Sequence, residues 1–280
     1  MIALRPQSLD EAVRYLEEDP ALVPTAGCTD LMVRGPEALH LMDRVIDLLG
    51  VPELRGIREV DGGLEIGATA SFSEIRRSAP VRAAFPILAE AASMIGGWQI
   101  QNRATLGGNM ANASPAGDSL PVLLALDAVV VAAGTRGLRE IPYADFHTGY
   151  RKTALQPGEI VARVRLPYRP EGGFQSFRKV GTREAQSISK VVVALTGRIE
   201  DGKISEIRLA AGSVAPTPVR LRAAEEALRG KTLGVEAADA AGREAAAGVT
   251  PIDDVRSTAD YRRFALERVV RRMMLGLTAD

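Results

Sequence analysis

Apolar positions in the first fifty residues alternate between two periods. Leu9, Ala12, Val13 and Leu16 recur at helical spacing behind Ser8 and Glu11, which together form the signature of a capping box, so the pattern predicts a helix. Leu22 to Ala26 is a short apolar run closed by Gly27 and reads as a strand. Residues 29–34 predict a second helix, with Thr29 or Asp30 as its cap, and Val45 to Leu49 a second buried strand. Helix, strand, helix and strand in this order predict a small parallel sheet covered by helices.

From about residue 56 the pattern shifts. Leu64 to Ala68 reads as a strand, Ser71 and Glu74 offer another capping box, and residues 86–95 form a helix opened by Pro86 and stopped by Gly96-Gly97. A polar, glycine-rich passage over 99–117 leads to a helix at about 119–126. Strands follow near 128–133, 138–142 and 160–166, with a turn at Gln156-Pro157-Gly158. Pro167, Pro170 and Gly172-Gly173 mark a boundary near 170. Beyond it, β-branched strands at 174–179, 190–199 and 204–212 precede helices at about 218–228, 235–247 and 259–276. The last helix carries Phe264, Leu266, Val269, Val270, Met273 and Met274 on an apolar stripe that reads as core. The expected class is α+β, with domains at 1–170 (subdomains about 1–55 and 56–170) and 171–280.

Composition narrows the function. The chain has 280 residues with 35 basic and 35 acidic side chains, so it lacks the basic excess that phosphate-rich partners require. Cys28 is the one cysteine and His40 and His147 are the two histidines, too few for an iron–sulfur cluster or a metal site of recognisable spacing. Metal chemistry is therefore expected on another chain. The N-terminal residues have no signal-peptide core, and the most apolar stretch, Pro121 to Ala133, contains Asp127 and is too short to span a bilayer, so the expected location is cytoplasmic.

Two segments carry candidate chemistry. In Pro24-Thr25-Ala26-Gly27-Cys28-Thr29-Asp30 a strand ends in glycine and turns into a helix, an arrangement that aims unpaired N–H groups at an anion; the plain alternative is a capped turn. In Asn102-Arg103-Ala104-Thr105-Leu106-Gly107-Gly108-Asn109, adjacent glycines let backbone approach a phosphate, with Thr105 and Asn109 as flanking donors. Asp118 is suited to accept from a ribityl or ribose hydroxyl, or equally to cap the helix after it. No G-x-G-x-x-G or G-x-S-x-G occurs, and Glu225 stands where a Walker A loop ending at Gly230-Lys231-Thr232 needs its first glycine.

These residues resemble the FAD-binding subunits of molybdenum hydroxylases, the family of xanthine dehydrogenase and carbon monoxide dehydrogenase flavoproteins. Residues 24–31 are similar to the family's first pyrophosphate loop, and Gln99 to Asn109 to its second, followed by the matching Asp118. Phe146 to Leu155 with Pro157-Gly158-Glu159-Ile160, then Phe177-Arg178-Lys179, Arg183-Glu184-Ala185 and Ala215 to Arg220, continue the match in the family's order. The resemblance implies a two-part FAD domain of the vanillyl-alcohol-oxidase type, then a domain of three antiparallel strands and a helical bundle. It implies FAD contacts from Val23, Pro24, Thr25, Ala26, Gly27, Cys28, Thr29 and Asp30, from Thr105, Leu106, Gly107, Gly108 and Asn109, from Asp118, from Val161 beside the flavin, and from Lys179. Cys28 replaces the usual second glycine of the first loop, so it must adopt that glycine's dihedrals or serve as a small buried filler. Without the family, Lys179 reads as a solvated strand lysine and Trp98 as packing.

The resemblance also implies an electron-transfer module without hydroxylating residues of its own. Electrons would pass from two [2Fe–2S] centres on a small partner subunit through FAD to NAD, oxygen or a quinone. A large partner would carry the molybdenum cofactor, in a dimer of heterotrimers. Cys28-Thr29-Asp30 favours a complex that oxidises a purine or other N-heteroaromatic over the carbon monoxide branch, whose first loop resembles Ala-Gly-Gly-His-Ser. A stand-alone FAD reductase and a non-catalytic assembly protein are the rival readings; the match at Ala215 to Arg220 speaks against the reductase.

Overall fold

The computed structural model describes residues 2–35, 43–169 and 172–277, so His40 lies outside the described residues. The chain opens with β1 (Ile2–Leu4) and helix α1 (Leu9–Glu18), which buries Ala12, Val13 and Leu16. Ser8 caps α1 by accepting from Glu11 N–H at 3.2 Å, but the Glu11 carboxylate takes the N–H of Gln7 at 2.6 Å, so the box is offset by one residue. There follow β2 (Val23–Thr25), the short helix α2 (Thr29–Val33) and β3 (Arg44–Asp47). These strands form the expected parallel sheet, in the order β1-β3-β2. β3 stops before Leu48 because the Asp47 side chain accepts from Leu49 N–H and winds 48–50 into a 3₁₀ turn.

A second, antiparallel sheet starts with β4 (Ile57–Val60) and β5 (Gly63–Gly67). Six helices then precede its next strand: α3 (Phe72–Arg77), α4 (Ala79–Ala84), α5 (Pro86–Met94), α6 (Trp98–Arg103), α7 (Leu106–Asn112) and α8 (Ser119–Ala125). Ser71 and Glu74 close their capping box in both directions at the start of α3. The polar, glycine-rich passage over 99–117, to which the sequence reading assigns no element, is largely helical in α6 and α7. Its few inward apolar positions, Leu106 and Met110, are masked in the sequence by the polar residues around them. The sheet is completed by β6 (Val129–Gly134), β7 (Gly137–Pro142) and, after α9 (Tyr143–Phe146) and the hairpin β8 (His147–Gly149) and β9 (Lys152–Thr153), by β10 (Ile160–Pro167). Its order is β4-β5-β10-β6-β7.

The third sheet contains the long antiparallel strands β11 (Gly173–Val180), β12 (Val191–Glu200) and β13 (Lys203–Gly212), with a two-residue strand β14 (Val219–Arg220) at its edge. Because β14 pairs with Ala210 and Ala211, the helix expected from 218 begins later, as α10 (Arg222–Leu228). Helices α11 (Val235–Ala247) and α12 (Ala259–Gly276) follow. On α12, Leu266, Val270, Met273 and Met274 are buried as expected, whereas Phe264 is exposed beneath the Arg268 guanidinium. Alternation along β12 sends Val191, Val193 and Leu195 to a core shared with α10, α11 and α12. Val192 and Ala194 point the other way, into a core shared with α8 and the second sheet. No helix among the described residues is long and apolar enough to cross a membrane.

Candidate functional site

The first glycine loop leaves the parallel sheet at Thr25, which is buried and donates its hydroxyl to Ile46 O at 3.1 Å. Before it in β2, Val23 is half-buried and Pro24 exposed. Cys28, at φ 59° and ψ 7°, occupies the left-handed region and stands at the N-cap of α2, a place expected for Thr29 or Asp30. No side chain caps this helix; the Cys28 thiol instead donates to Ala26 O at 3.5 Å. Among the described residues no protein acceptor takes the N–H of Gly27, Thr29 or Asp30. Burial pushes the Cys28 thiol up, with Asp47 adding to the effect and Arg103 pulling against it, so the thiol stays protonated at neutral pH. Desolvation raises the Asp30 carboxyl, opposed by Arg151 and Arg34, which places two guanidinium groups near this loop.

The two glycine loops meet in space. A Cβ built on Gly27 would lie 2.0 Å from Arg103 O and 3.0 Å from Ala104 Cα, so only glycine lets the first loop rest on the segment that opens the second. Thr105 caps α7 by accepting from Gly108 N–H at 3.1 Å. Leu106 N–H donates to Ala70 O, Gly107 N–H to Ala68 O and Asn109 N–H to Thr105 O, all at 2.9–3.0 Å. The amides of the Gly107-Gly108 pair are therefore engaged within the protein. The glycines supply clearance instead: Gly107 is buried where a Cβ would come 2.6 Å from Ala68 Cβ, and Gly108 is exposed with only Thr105 Oγ1 nearby, at 2.9 Å. Leu106 is fully buried and anchors the turn from below. Asn109 Oδ1 accepts from Ser119 Oγ at 2.8 Å, which orients its side-chain amide.

Asp118 does not cap α8: its backbone is helical and its side chain makes no capping bond. Its carboxylate is buried, with Oδ2 2.6 Å from Lys179 Nζ and Oδ1 accepting from Ser189 Oγ. Burial pushes the Asp118 carboxyl up, while the Lys179 charge and the bonds from Lys179 and Ser189 pull it down. Lys179 also donates to Met94 O at 3.0 Å, at the carbonyl end of α5, so it is a buried, paired lysine and not a solvated one. Val161 sits at a bulge in β10 with its side chain in the core; the next residue, Ala162, accepts from Ala68 N–H, beside Gly107. Trp98 is 67% exposed, with the Arg76 guanidinium 5.1 Å from its ring centre, so it is not a packing residue.

Three residues near these loops are not among the site residues expected from the sequence. Arg103 abuts Gly27, and Ser189 completes the partners of Asp118. Arg151, at φ 52°, donates to Asn112 Oδ1 at 2.9 Å and faces Asp30 electrostatically. Unengaged amides at Gly27, Thr29 and Asp30, two glycines that clear the backbone and the nearby cations Arg34, Arg103 and Arg151 together fit a diphosphate.

Residues 2–169 match a family model described as the FAD binding domain in molybdopterin dehydrogenase, and residues 175–277 match the CO dehydrogenase flavoprotein C-terminal domain. The xanthine dehydrogenase FAD-binding subunit of Escherichia coli O157:H7 is 32% identical, covering 96% of this chain and 93% of its own. The carbon monoxide dehydrogenase medium chain of Hydrogenophaga pseudoflava is also 32% identical, covering 96% and 94%. A structure of carbon monoxide dehydrogenase from the same organism, lacking the Mo-pyranopterin moiety of its molybdenum cofactor, superposes with a TM-score of 0.93 at 33% identity, covering 97% of this chain and 95% of that one. By family model, by relatives over nearly its whole length and by fold, this chain belongs to the FAD-binding subunits of the molybdopterin-dependent dehydrogenases.

Proposed function

We propose that this chain holds FAD and passes electrons from [2Fe–2S] centres on a small partner subunit to a final acceptor, while a large partner carries the molybdenum cofactor and the substrate. The observation that carries the reading is the contact of Gly27 with Arg103 and Ala104, which brings both glycine loops to one place. In this reading the N–H groups of Gly27, Thr29 and Asp30 and the Thr29 hydroxyl bind the pyrophosphate. Gly108 provides the clearance opposite, and Asn109 donates from its side-chain amide. Val23, Pro24, Thr25, Ala26 and Cys28 shape the first loop, and Leu106 and Gly107 hold the second. Val161 and Lys179, beside Asp118, lie toward the flavin. FAD supplies the interconversion of one- and two-electron transfer, and the protein's part is to place and tune it.

The division into 1–170 and 171–280 is supported by the two family-model ranges, and a break near 55 inside the first part by the change from the parallel to the antiparallel sheet. A cytoplasmic dimer of heterotrimers is the expected assembly. Relatives named for xanthine and for carbon monoxide dehydrogenase are equally identical, so identity does not separate the branches. Cys28-Thr29-Asp30 in the first loop supports a purine or other N-heteroaromatic substrate over carbon monoxide. The acceptor is NAD, oxygen or a quinone.

Purified chain should be yellow and release FAD on heating, and should hydroxylate no N-heterocycle until the partner subunits are added. A colourless chain that takes up no FAD would sink the cofactor assignment. Turnover by the flavin-loaded chain alone at the rate of the complex would sink the electron-relay assignment.

A further inference from the structure

Between β11 and β12 the chain leaves the sheet as an exposed loop, residues 181–188, and one carboxylate holds both of its ends. Lys179, just before the loop, is ion-paired with Asp118 Oδ2 at 2.6 Å; Ser189, just after it, donates its hydroxyl to Asp118 Oδ1. The Lys179 and Asp118 side chains are 5% and 8% exposed and Ser189 is 1% exposed, so this clasp is closed to water. The neck is reinforced by Lys190 N–H donating to Val180 O at 2.8 Å and by the buried Arg262 donating to Lys190 O at 2.7 Å.

Beyond the neck the loop has little apolar anchorage: residues 182–186 are exposed, and so is Ile188. It is instead folded on itself. The Arg183 guanidinium donates to the carbonyls of Ala185 and Gln186, and Ser187 Oγ donates to Arg183 O at 3.0 Å. Its outer edge rests on Gly97, where a Cβ would come 2.8 Å from Gln186 Nε2. Gly97 is the N-cap of α6, and Arg103 at the other end of that helix touches Gly27. The loop thus stands about 9 Å, the length of α6, from the phosphate end of the candidate site.

We propose that Asp118 and Ser189 latch the 181–188 loop beside the candidate flavin site, with Ser189 as a positioning residue and Asp118 as the clasp. The proposal rests on the FAD assignment made above. An ionised carboxylate accepts at both oxygens, each with room for more than one donor, and here one bond on each oxygen ties an end of the loop. Without the Ser189 hydroxyl the buried anion keeps only its lysine, and the exit of the loop loses its side-chain tie to the rest of the site.

Hydrogen exchange of the full chain, with and without FAD, reads the latch, and visible circular dichroism of the bound flavin reads its consequence. Ser189→Ala should speed exchange of the Lys190 N–H, whose bond to Val180 O closes the neck, by about tenfold or more, as expected for losing a hydrogen bond to a charged acceptor. Amides of β12 and β13 should stay protected, and the flavin dichroism should change. Unaltered exchange at Lys190 in Ser189→Ala overturns the latch. Faster exchange with an unaltered flavin signature overturns the positioning role and leaves Ser189 structural. Asp118→Asn, which keeps an acceptor for Ser189 but loses the charge opposite Lys179, provides the same two readouts if Ser189→Ala does not fold. A wild-type chain that takes up no FAD overturns the cofactor assignment instead, and exchange in the flavin-free chain still decides the latch.

Discussion

At Gly107 and Gly108, adjacent residues face opposite constraints, and substitution separates them. A side chain at Gly107 collides with Ala68 inside the fold, so Gly107→Ala should destabilise the protein by about 1–3 kcal/mol, the usual cost of overpacking, seen as a lower melting temperature. Gly108 is exposed and meets only the capping Thr105 Oγ1, so Gly108→Val should lower the melt only slightly while its branched side chain fills the space proposed for the cofactor. FAD affinity, by fluorescence titration of refolded apo-protein, should fall about tenfold to a hundredfold, equivalent to roughly 1.4–2.8 kcal/mol. A folded Gly108→Val chain binding FAD like wild type would remove this face from the site. Cys28 presents the reverse case, a side chain where the backbone favours glycine. Its φ of 59° costs roughly 1–2 kcal/mol for a residue with a Cβ, partly offset by the chain entropy that glycine adds to the unfolded state. Cys28→Gly should therefore raise the melting temperature by about 2 °C and keep FAD binding intact. A lower melting temperature would mean that the packing of the thiol outweighs the backbone strain.

At the scale of elements, the corner where α9 meets β8 ties stability to pH. His147 packs edge-on against Tyr143 and Phe146, with a ring nitrogen 3.1 Å from the Tyr143 hydroxyl, and burial lowers its pKa to about 4. The unfolded chain, with an ordinary histidine near 6.5, binds the proton first as pH falls. Its contribution is thus complete above about pH 6.5 and is lost on going down to about 4, by roughly 3 kcal/mol. His147→Gln should flatten this part of the stability profile in urea melts across that window; an unchanged slope would show that the imidazole charges without cost. Elements with a strong period were legible in the sequence: α1, α5, α8 and the three long strands of the last sheet stand within a few residues of expectation. α6 and α7 were not, because Gln99, Gln101, Asn102 and Asn109 break the apolar rhythm and a Gly-Gly pair reads as a turn. The glycine loops themselves were legible, but not which of their amides are free. That depends on the carbonyls of Ala68 and Ala70, contributed by a segment more than thirty residues earlier. The pairing of Asp118 with Lys179 and Ser189 was equally hidden, since it spans 61 and 71 residues and leaves no local pattern.

For the whole molecule, the decisive feature is that one core runs through both family-model regions. Phe177, Val192, Ala194 and Ala210 of the last sheet belong to the same apolar cluster as Leu120, Leu123, Leu124 and Val130. Polar ties cross the same boundary: Thr196 Oγ1 donates to Ala125 O at 3.0 Å, and Asp127 pairs with Arg208 and Arg220 as well as Arg169. Asp127 holds a left-handed backbone at φ 49° between α8 and β6, so these arginines support a strained turn at the end of the central helix. A chain ending at Arg169 would keep every residue of the two glycine loops yet expose one side of α8 to water. Each large apolar side chain uncovered forfeits roughly 1.5–3 kcal/mol, and several are uncovered together, against a total stability of about 5–15 kcal/mol for a typical domain. It would also lose Lys179 and Ser189, leaving the Asp118 carboxylate without either side-chain partner. The fragment 1–169 should therefore fail to melt cooperatively by circular dichroism, aggregate on size exclusion, and bind FAD far more weakly than the full chain. A monomeric fragment with a sharp melt and full FAD affinity would show that the shared core is dispensable, and that the first region is self-sufficient despite the apolar face it presents.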